Sequence, residues 1–112
     1  MVKPTERPYS HYSLDALAML GQLVREARLS KGLRSSDLAI RAGISRALLQ
    51  RIERGDPSCS IGAVFEVATI CGVPLFEPDP RRLGTVLAVQ REKMALLPKS
   101  VRIKSAEIKD DF

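Results

Sequence analysis

The segment from residue 36 to residue 55, SDLAIRAGISRALLQRIERG, holds the residues of this chain that are best suited to chemistry with a ligand. Its second half carries three arginines, Arg46, Arg51 and Arg54. The planar guanidinium of arginine donates paired hydrogen bonds to phosphates and to the edge of guanine. A short helix with this charge is suited to the major groove of DNA, so the segment predicts a DNA-binding surface.

Two short helices joined by a tight turn would position these arginines. Gly43 is suited to end the first helix because glycine reaches positive φ without a Cβ clash. Ser45 can cap the second helix through its hydroxyl. Ala39, Ile44 and Ile52 supply the small and apolar residues that pack the two helices together. Two helices that cross over such a turn form the DNA-binding helix-turn-helix, which we predict for residues 35–54.

The distribution of charge supports this prediction. The net charge is +5, and residues 25–55 hold eight basic residues against three acidic ones, so this segment accounts for the whole excess. A basic patch confined to one motif is the electrostatic signature of phosphate binding. The alternative is an ordinary solvated surface.

The remaining composition argues against several other classes of protein. No apolar run approaches the roughly 18 residues that span a bilayer, and the N-terminal residues lack a secretory signal, so we expect a cytoplasmic protein without a membrane partner. Cys59 and Cys71 are too few for a disulfide scaffold or a zinc site, and His11 has no partner at ligand spacing. Without a catalytic constellation or a nucleotide-binding glycine loop, we expect neither an enzyme nor a cofactor or metal.

Apolar spacing predicts five helices and an all-α fold. Helix 1 is expected to start with Ser13 as N-cap and to run up to Gly32. Helices 2 and 3 are expected at about 35–42 and 45–54. Helix 5 is expected to start with Asp79 as N-cap and Pro80 at its first position, and to end before Pro98.

Helix 4 is expected to start at Ser60 and to stop before Gly72. Gly62 in its first turn is expected to allow close packing, with approach of a DNA backbone as the alternative. Cys59 is expected in the preceding loop. The predicted apolar face of helix 4 consists of Ile61, Val64, Phe65, Ala68 and Cys71.

The predicted organisation has three parts. Residues 1–12 form a flexible arm, residues 13–97 form the helix-turn-helix DNA-binding domain, and residues 98–112 form a C-terminal tail.

The block from Leu20 to Phe76 resembles the Cro/repressor-type helix-turn-helix (XRE) family, whose lambda-repressor-like DNA-binding domain has five helices. The resemblance covers half of the chain. Its motifs are Leu20-Gly21 and Arg25-x-x-Arg28 in helix 1, Gly32-Leu33 before helix 2, the run LAIRAGIS at 38–45, and IERG at 52–55.

A narrower resemblance comes from GDPSCSIGAVFEVATICGVPLF and from the ending LLPKSVR…IKDDF. These segments are similar to the HipB-type antitoxins, which are regulators encoded beside a HipA-like serine/threonine kinase toxin. The resemblance implies a dimer that represses its own operon at palindromic operators and binds the kinase, as one or two polypeptides.

The resemblance also implies which side chains read DNA. In this family the exposed start and one face of helix 3 contact base edges, and those positions hold Arg46, Ala47, Gln50 and Arg51. Arginine pairs with guanine, glutamine with adenine, and alanine contacts the thymine methyl; a good bidentate pair discriminates by ~1–3 kcal/mol. Phosphate anchoring without base reading stays open for the two arginines. Leu48 is expected at the exposed DNA face, with partial burial as the alternative.

The expected phosphate contacts are Arg34, Ser35, Ser45 and Arg54. At the start of helix 2 the family places a Ser or Thr cap followed by a Gln that contacts the DNA backbone, whereas this chain has Arg34 and Ser35. An arginine side chain cannot cap, so Ser35 is expected to cap one residue later, and Arg34 to reach a phosphate in place of the glutamine.

The family often pairs an arginine of helix 1 with a glutamate of helix 3, and the matching residues are Arg28 and Glu53. Because the guanidinium fork suits a carboxylate, we expect a structural salt bridge that orients helix 3.

Helix 5 and the tail are the expected interaction surfaces. Two half-sites one DNA turn apart require a dimer, and Leu83, Val86, Leu87 and Met94 are the candidate interface; packing of this helix only on its own domain is the alternative. Phe112, an aromatic residue at the end of a polar tail, is a candidate anchor for the kinase partner, the alternative being a tail without a partner.

Two further functional classes remain open from the sequence. A stand-alone operator-binding regulator would have the same helix-turn-helix and no toxin partner. A protein-interaction adaptor would keep the fold without binding DNA, and the basic patch argues against it.

Overall fold

The computed structural model describes residues 8–101. These residues form five α-helices and no strand, which confirms the predicted all-α helix-turn-helix fold. None of the helices in this range is both long and apolar enough to cross a membrane. The helices are α1 (His11–Ser30), α2 (Ser35–Ala42), α3 (Arg46–Glu53), α4 (Ile61–Cys71) and α5 (Pro80–Ala95).

The chain divides into two compact units. The first ends at Leu75 and contains α1 to α4, and the second begins at Phe76 and contains α5. The domain expected over 13–97 includes α1 to α4 of the first unit and α5 of the second, and α5 contains no buried residue. The expected arm falls outside the described residues up to position 7, as does the expected tail from position 102, with Phe112.

The core of the first unit lies where α1 to α4 converge. Val24 of α1, Leu38 of α2, Leu49 of α3 and Val67 of α4 are completely buried. Full burial of each such side chain contributes about 1.5–3 kcal/mol relative to exposure. Because every helix of the unit supplies one of them, removal of any one helix would expose the core.

The start of α1 differs from the prediction. Ser10 rather than Ser13 is the N-cap, and its Oγ accepts a hydrogen bond from the backbone N–H of Ser13 at 3.2 Å. The prediction was wrong because it relied on the first apolar residue, whereas the exposed His11 and Tyr12 already belong to the first turn of α1. Two residues assigned to the arm are therefore helical.

Two predictions for α4 were also wrong. Ile61 is 74% exposed, whereas Val67, absent from the predicted apolar face, is completely buried. A Cβ added at Gly62 would meet no atom within 4 Å, so this glycine does not mark close packing. The close approach occurs at Gly21 of α1, where an added Cβ would lie 2.5 Å from the carbonyl oxygen of Glu53. The backbone of α1 thus lies against the end of α3.

Candidate nucleic-acid interface

The turn between α2 and α3 is built as its sequence predicts. Gly43 adopts φ = 69°, and the N–H of Ile44 donates to the carbonyl of Ala39 at 3.0 Å. The Oγ of Ser45 accepts a hydrogen bond from the backbone N–H of Leu48 at 3.0 Å and so caps α3. These local contacts fix the direction in which α3 leaves the turn.

One side of α3 is buried and the other is open. Leu49 and Ile52 lie in the core, whereas Arg46, Ala47 and Gln50 are exposed. Residues at i and i+4 share a helix face, so Arg46 and Gln50 lie one above the other on the open side. The open side therefore presents a guanidinium, a carboxamide and a methyl group, each of which can contact a base edge.

Leu48 is half-buried and packs against the core, so its expected exposure at the DNA face was wrong. The reason is its spacing from Ile52: residues four apart in a helix share a face, and Ile52 is buried.

The sequence predicted Arg51 as a base contact, but its guanidinium is engaged within the protein. Its Nε donates to Oδ2 of Asp56 at 3.0 Å, and its Nη2 donates to Oγ of Ser58 at 2.6 Å. Hydrogen bonds from Ser58 and from Arg51 hold the pKa of the Asp56 carboxyl well below its usual range. Sequence reasoning missed both partners, although an aspartate two residues before a serine is typical of a side-chain-closed turn.

At the start of α2 the structure corrects the expected cap. Arg34 is the N-cap residue and Ser35 is already the first helical residue. The Oδ2 atom of Asp37 accepts a hydrogen bond from the backbone N–H of Arg34 at 3.1 Å and another from its Nε at 3.2 Å. The cap therefore comes from the acidic residue three positions later, a capping-box spacing that the sequence contained. Pairing with Arg34 lowers the pKa of Asp37.

Arg28 and Glu53 form a bidentate ion pair between α1 and α3. Nε of Arg28 donates to Oε2 of Glu53 at 2.7 Å, and Nη2 donates to Oε1 at 3.1 Å. The remaining guanidinium nitrogen, Nη1, donates to the carbonyl of Leu33 at 3.0 Å. The hydrogen bonds to Glu53 raise the pKa of Arg28. Both side chains are about nine-tenths buried, so this pair joins the end of α3 to two other segments.

The remaining expected phosphate contacts lie at the surface. Ser45 and Arg54 are exposed, at opposite ends of α3, whereas Ser35 is half-buried. Within the described part of the chain, neither Arg46 nor Arg54 forms an ion pair, in contrast to Arg34 and Arg51. No group of three His, Cys, Asp or Glu residues in that part could hold a metal ion.

Comparison with known proteins places this geometry in a family. A family model described as a helix-turn-helix domain matches residues 19–83, from α1 into the start of α5. An uncharacterised HTH-type transcriptional regulator of Sinorhizobium fredii, y4mF, is 34% identical over 67 residues, covering 58% of this chain and 88% of the relative. Proteins of this class are DNA-binding transcriptional regulators and are typically not enzymes. The chain belongs to the XRE-like helix-turn-helix family of DNA-binding transcriptional regulators.

Proposed function

We propose that this chain is a cytoplasmic transcriptional repressor that binds operator DNA sequence-specifically, with α3 in the major groove. The observation that supports this proposal is that α3 has one buried side and one exposed side. Leu49 and Ile52 anchor the helix in the core, and Arg46 and Gln50 project from its open side. In this proposal Arg46 pairs with a guanine, Gln50 with an adenine and Ala47 contacts a thymine methyl.

Rigid attachment of α3 supports sequence reading rather than mere attraction to DNA. A bidentate contact requires the helix to be held in a fixed orientation, since an error of an ångström removes its geometry. The Ser45 cap fixes the start of α3, and the buried pair of Arg28 with Glu53 fixes its end. Phosphate contacts from Arg54, Ser45 and, after exchange of its Asp37 partner, Arg34 would set the register on the duplex.

A homodimer is part of this proposal. Recognition helices that read two half-sites one DNA turn apart require two copies of the domain. The second unit offers a surface for this purpose: Leu83, Val86, Leu87 and Met94 of α5 are each 40–58% exposed. Helices in proteins gain most of their stability from packing of an apolar face, and α5 has 16 residues of which none is buried, so packing against a second copy would stabilise it.

We further propose that the chain is the antitoxin of a HipA-like serine/threonine kinase module and autoregulates its own operon. This step rests on the resemblance of residues 55–76 and 96–112 to HipB-type antitoxins, with Phe112 as the proposed kinase contact. The alternative is a stand-alone regulator. The bacterial relative carries only the description of an HTH-type transcriptional regulator.

Affinity purification of the N-terminally tagged chain from its native host tests both levels of the proposal. Copurified DNA is sequenced and copurified proteins are identified by mass spectrometry. Enrichment of one or a few palindromic sites supports operator binding, and a stoichiometric kinase supports the antitoxin role. Enriched sites without a kinase leave a stand-alone regulator, and the absence of any enriched DNA contradicts the repressor proposal.

A further inference from the structure

Arg51, Asp56 and Ser58 form a closed set of hydrogen bonds after α3. Oδ1 of Asp56 accepts from the backbone N–H of Ser58 at 2.8 Å and from its hydroxyl at 2.7 Å. Oδ2 of Asp56 accepts from Nε of Arg51 at 3.0 Å, and Nη2 of Arg51 donates to Oγ of Ser58 at 2.6 Å. Each of the three side chains therefore contacts both of the others.

The main chain ties the same residues together. The backbone N–H of Asp56 donates to the carbonyl of Arg51 at 3.0 Å, so Asp56 is bonded to Arg51 through both its backbone and its carboxylate. The backbone bond keeps Asp56 close to Arg51. The guanidinium itself is held at two points, by Nε to Asp56 and by Nη2 to Ser58, and this restricts it more than one surface ion pair would, since a side chain held at one point keeps much of its rotamer freedom.

These hydrogen bonds matter for DNA binding because Arg51 lies beside the open side of α3. Arg51 follows Ala47 by one helical turn and directly follows Gln50, and both of these residues are exposed on the open side of α3. A released Arg51 guanidinium would lie next to the proposed base contacts. Arginine recognises any phosphate and any guanine edge, so such a group would add attraction to many sequences.

We propose that Asp56 is a specificity-determining positioning residue: together with Ser58, it holds Arg51 on the turn after α3 and keeps that guanidinium off the DNA. Base recognition is thereby confined to Arg46, Ala47 and Gln50. This inference rests on the proposed function, because it concerns how the same helix discriminates between sequences.

A double-mutant cycle on DNA binding tests the inference. The two probes are a duplex selected from a random library by the wild-type chain and a scrambled duplex of the same composition. The variants are Asp56→Asn, Arg51→Met, the double variant, and Arg46→Met as a reference for a lost base contact. Circular dichroism and thermal unfolding establish that each variant is folded.

Removal of the carboxylate releases Arg51. We expect Asp56→Asn to bind the scrambled duplex at least fivefold more tightly, and its preference for the selected duplex to fall by a similar factor. For this variant, the slope of log affinity against log salt concentration should steepen by about 0.9, the value for one added phosphate contact. Arg51→Met should keep the wild-type preference within about twofold, and the double variant should behave like Arg51→Met.

Three results would overturn the inference. Arg51→Met could lose discrimination as strongly as Arg46→Met, which would make Arg51 a base-reading residue. The effect of Asp56→Asn could persist in the double variant, in which case net charge alone explains it. Asp56→Asn could also leave both affinities unchanged.

A second variant covers the case in which Asp56→Asn fails to fold. Ser58→Ala keeps all charges and removes only the hydroxyl partner of Arg51, so a weaker loss of discrimination is expected, and unchanged discrimination contradicts the inference. If the wild-type chain selects no sequence at all, the proposed function itself has failed, a result distinct from a selective chain that is indifferent to Asp56.

Discussion

Nε of Arg28 lies 2.7 Å from Oε2 of Glu53, and this contact joins the last turn of α1 to the end of α3. Arg28 also donates to the carbonyl of Leu33, just before α2 begins, so one guanidinium contacts both flanks of the helix-turn-helix. The orientation of α3 therefore depends on a buried ion pair as well as on apolar packing.

Loss of one partner of this pair should be costly. Glu53→Ala leaves the Arg28 guanidinium buried without its carboxylate, and we expect a decrease of about 3 kcal/mol in the free energy of unfolding. Because replacement of both partners by apolar residues removes the buried charge, the double variant Arg28→Met/Glu53→Leu should be markedly more stable than either single variant. Urea denaturation measures wild type, Glu53→Ala, the double variant and its two constituent single variants, Arg28→Met and Glu53→Leu. A double variant that is as unstable as the sum of the single changes would contradict a coupled pair.

Two glycine-to-alanine substitutions should differ clearly in their effect on stability. At Gly21 an added Cβ would lie 2.5 Å from the carbonyl oxygen of Glu53 and 2.7 Å from that of Ile52, so α1 and α3 must separate. We expect Gly21→Ala to destabilise by about 2 kcal/mol or more, within the range for overpacked cores. Gly62→Ala, in the open first turn of α4, should be neutral or stabilise by up to about 1 kcal/mol. Thermal unfolding measures the stability of both variants. Equal changes in stability would contradict the close approach of α1 to α3.

The carboxylate of Asp56 should contribute stability that is lost in acid. Hydrogen bonds from Ser58 and Arg51 place its pKa in the folded chain well below the ordinary value of 3.8. A group with a lowered folded pKa stabilises the fold above its unfolded pKa, and that contribution disappears as the pH falls through the folded pKa. Asp56→Asn should therefore be less stable than wild type at pH 7, by an amount that does not change down to about pH 5 and shrinks below about pH 4.

Urea denaturation of wild type and Asp56→Asn at about pH 7, 4 and 2.5 measures this difference in unfolding free energy. A difference that grows on acidification would show that the carboxylate is not stabilised by its partners.

The two cysteines should differ in their reaction with alkylating reagents. Cys71 is 2% exposed and Cys59 is half-buried, and burial raises the pKa of both thiols. Because the thiolate is the reactive form, both should react more slowly than a free cysteine, and Cys71 should react only when the domain opens. Mass spectrometry after iodoacetamide treatment, with and without urea, follows each site. Modification of Cys71 at the rate of Cys59 in the native protein would contradict its place in the core.

Helix ends that are set by residues adjacent in the sequence could be predicted well. Gly43, Ser45 and the Asp79-Pro80 pair set helix ends through local backbone geometry, and the helices begin and end where these residues predict. The packing of Gly21 could not be predicted in the same way, since it depends on how closely α1 approaches a segment about thirty residues away.

The same distinction applies within the candidate interface. The exposure of Arg46 and Gln50 follows from helical periodicity with Leu49 and Ile52 as the buried side. The hydrogen-bond partners of Arg51 depend on the path of the chain after Gly55, which brings Asp56 and Ser58 back to α3. By residue type, Arg51 and Arg46 are equally suited to contact DNA. Only the fold shows that the guanidinium of Arg51 has partners within the protein.

The most direct test of the central claim is the ratio of dissociation constants for a selected operator duplex and a scrambled duplex, measured by fluorescence anisotropy at one salt concentration. For wild type we predict a preference of about a thousandfold or more, as in specific protein–DNA complexes. Arg46→Met should reduce this preference by about 10- to 100-fold, because it removes one bidentate contact. Equal dissociation constants for the two duplexes would contradict the claim that α3 reads DNA sequence.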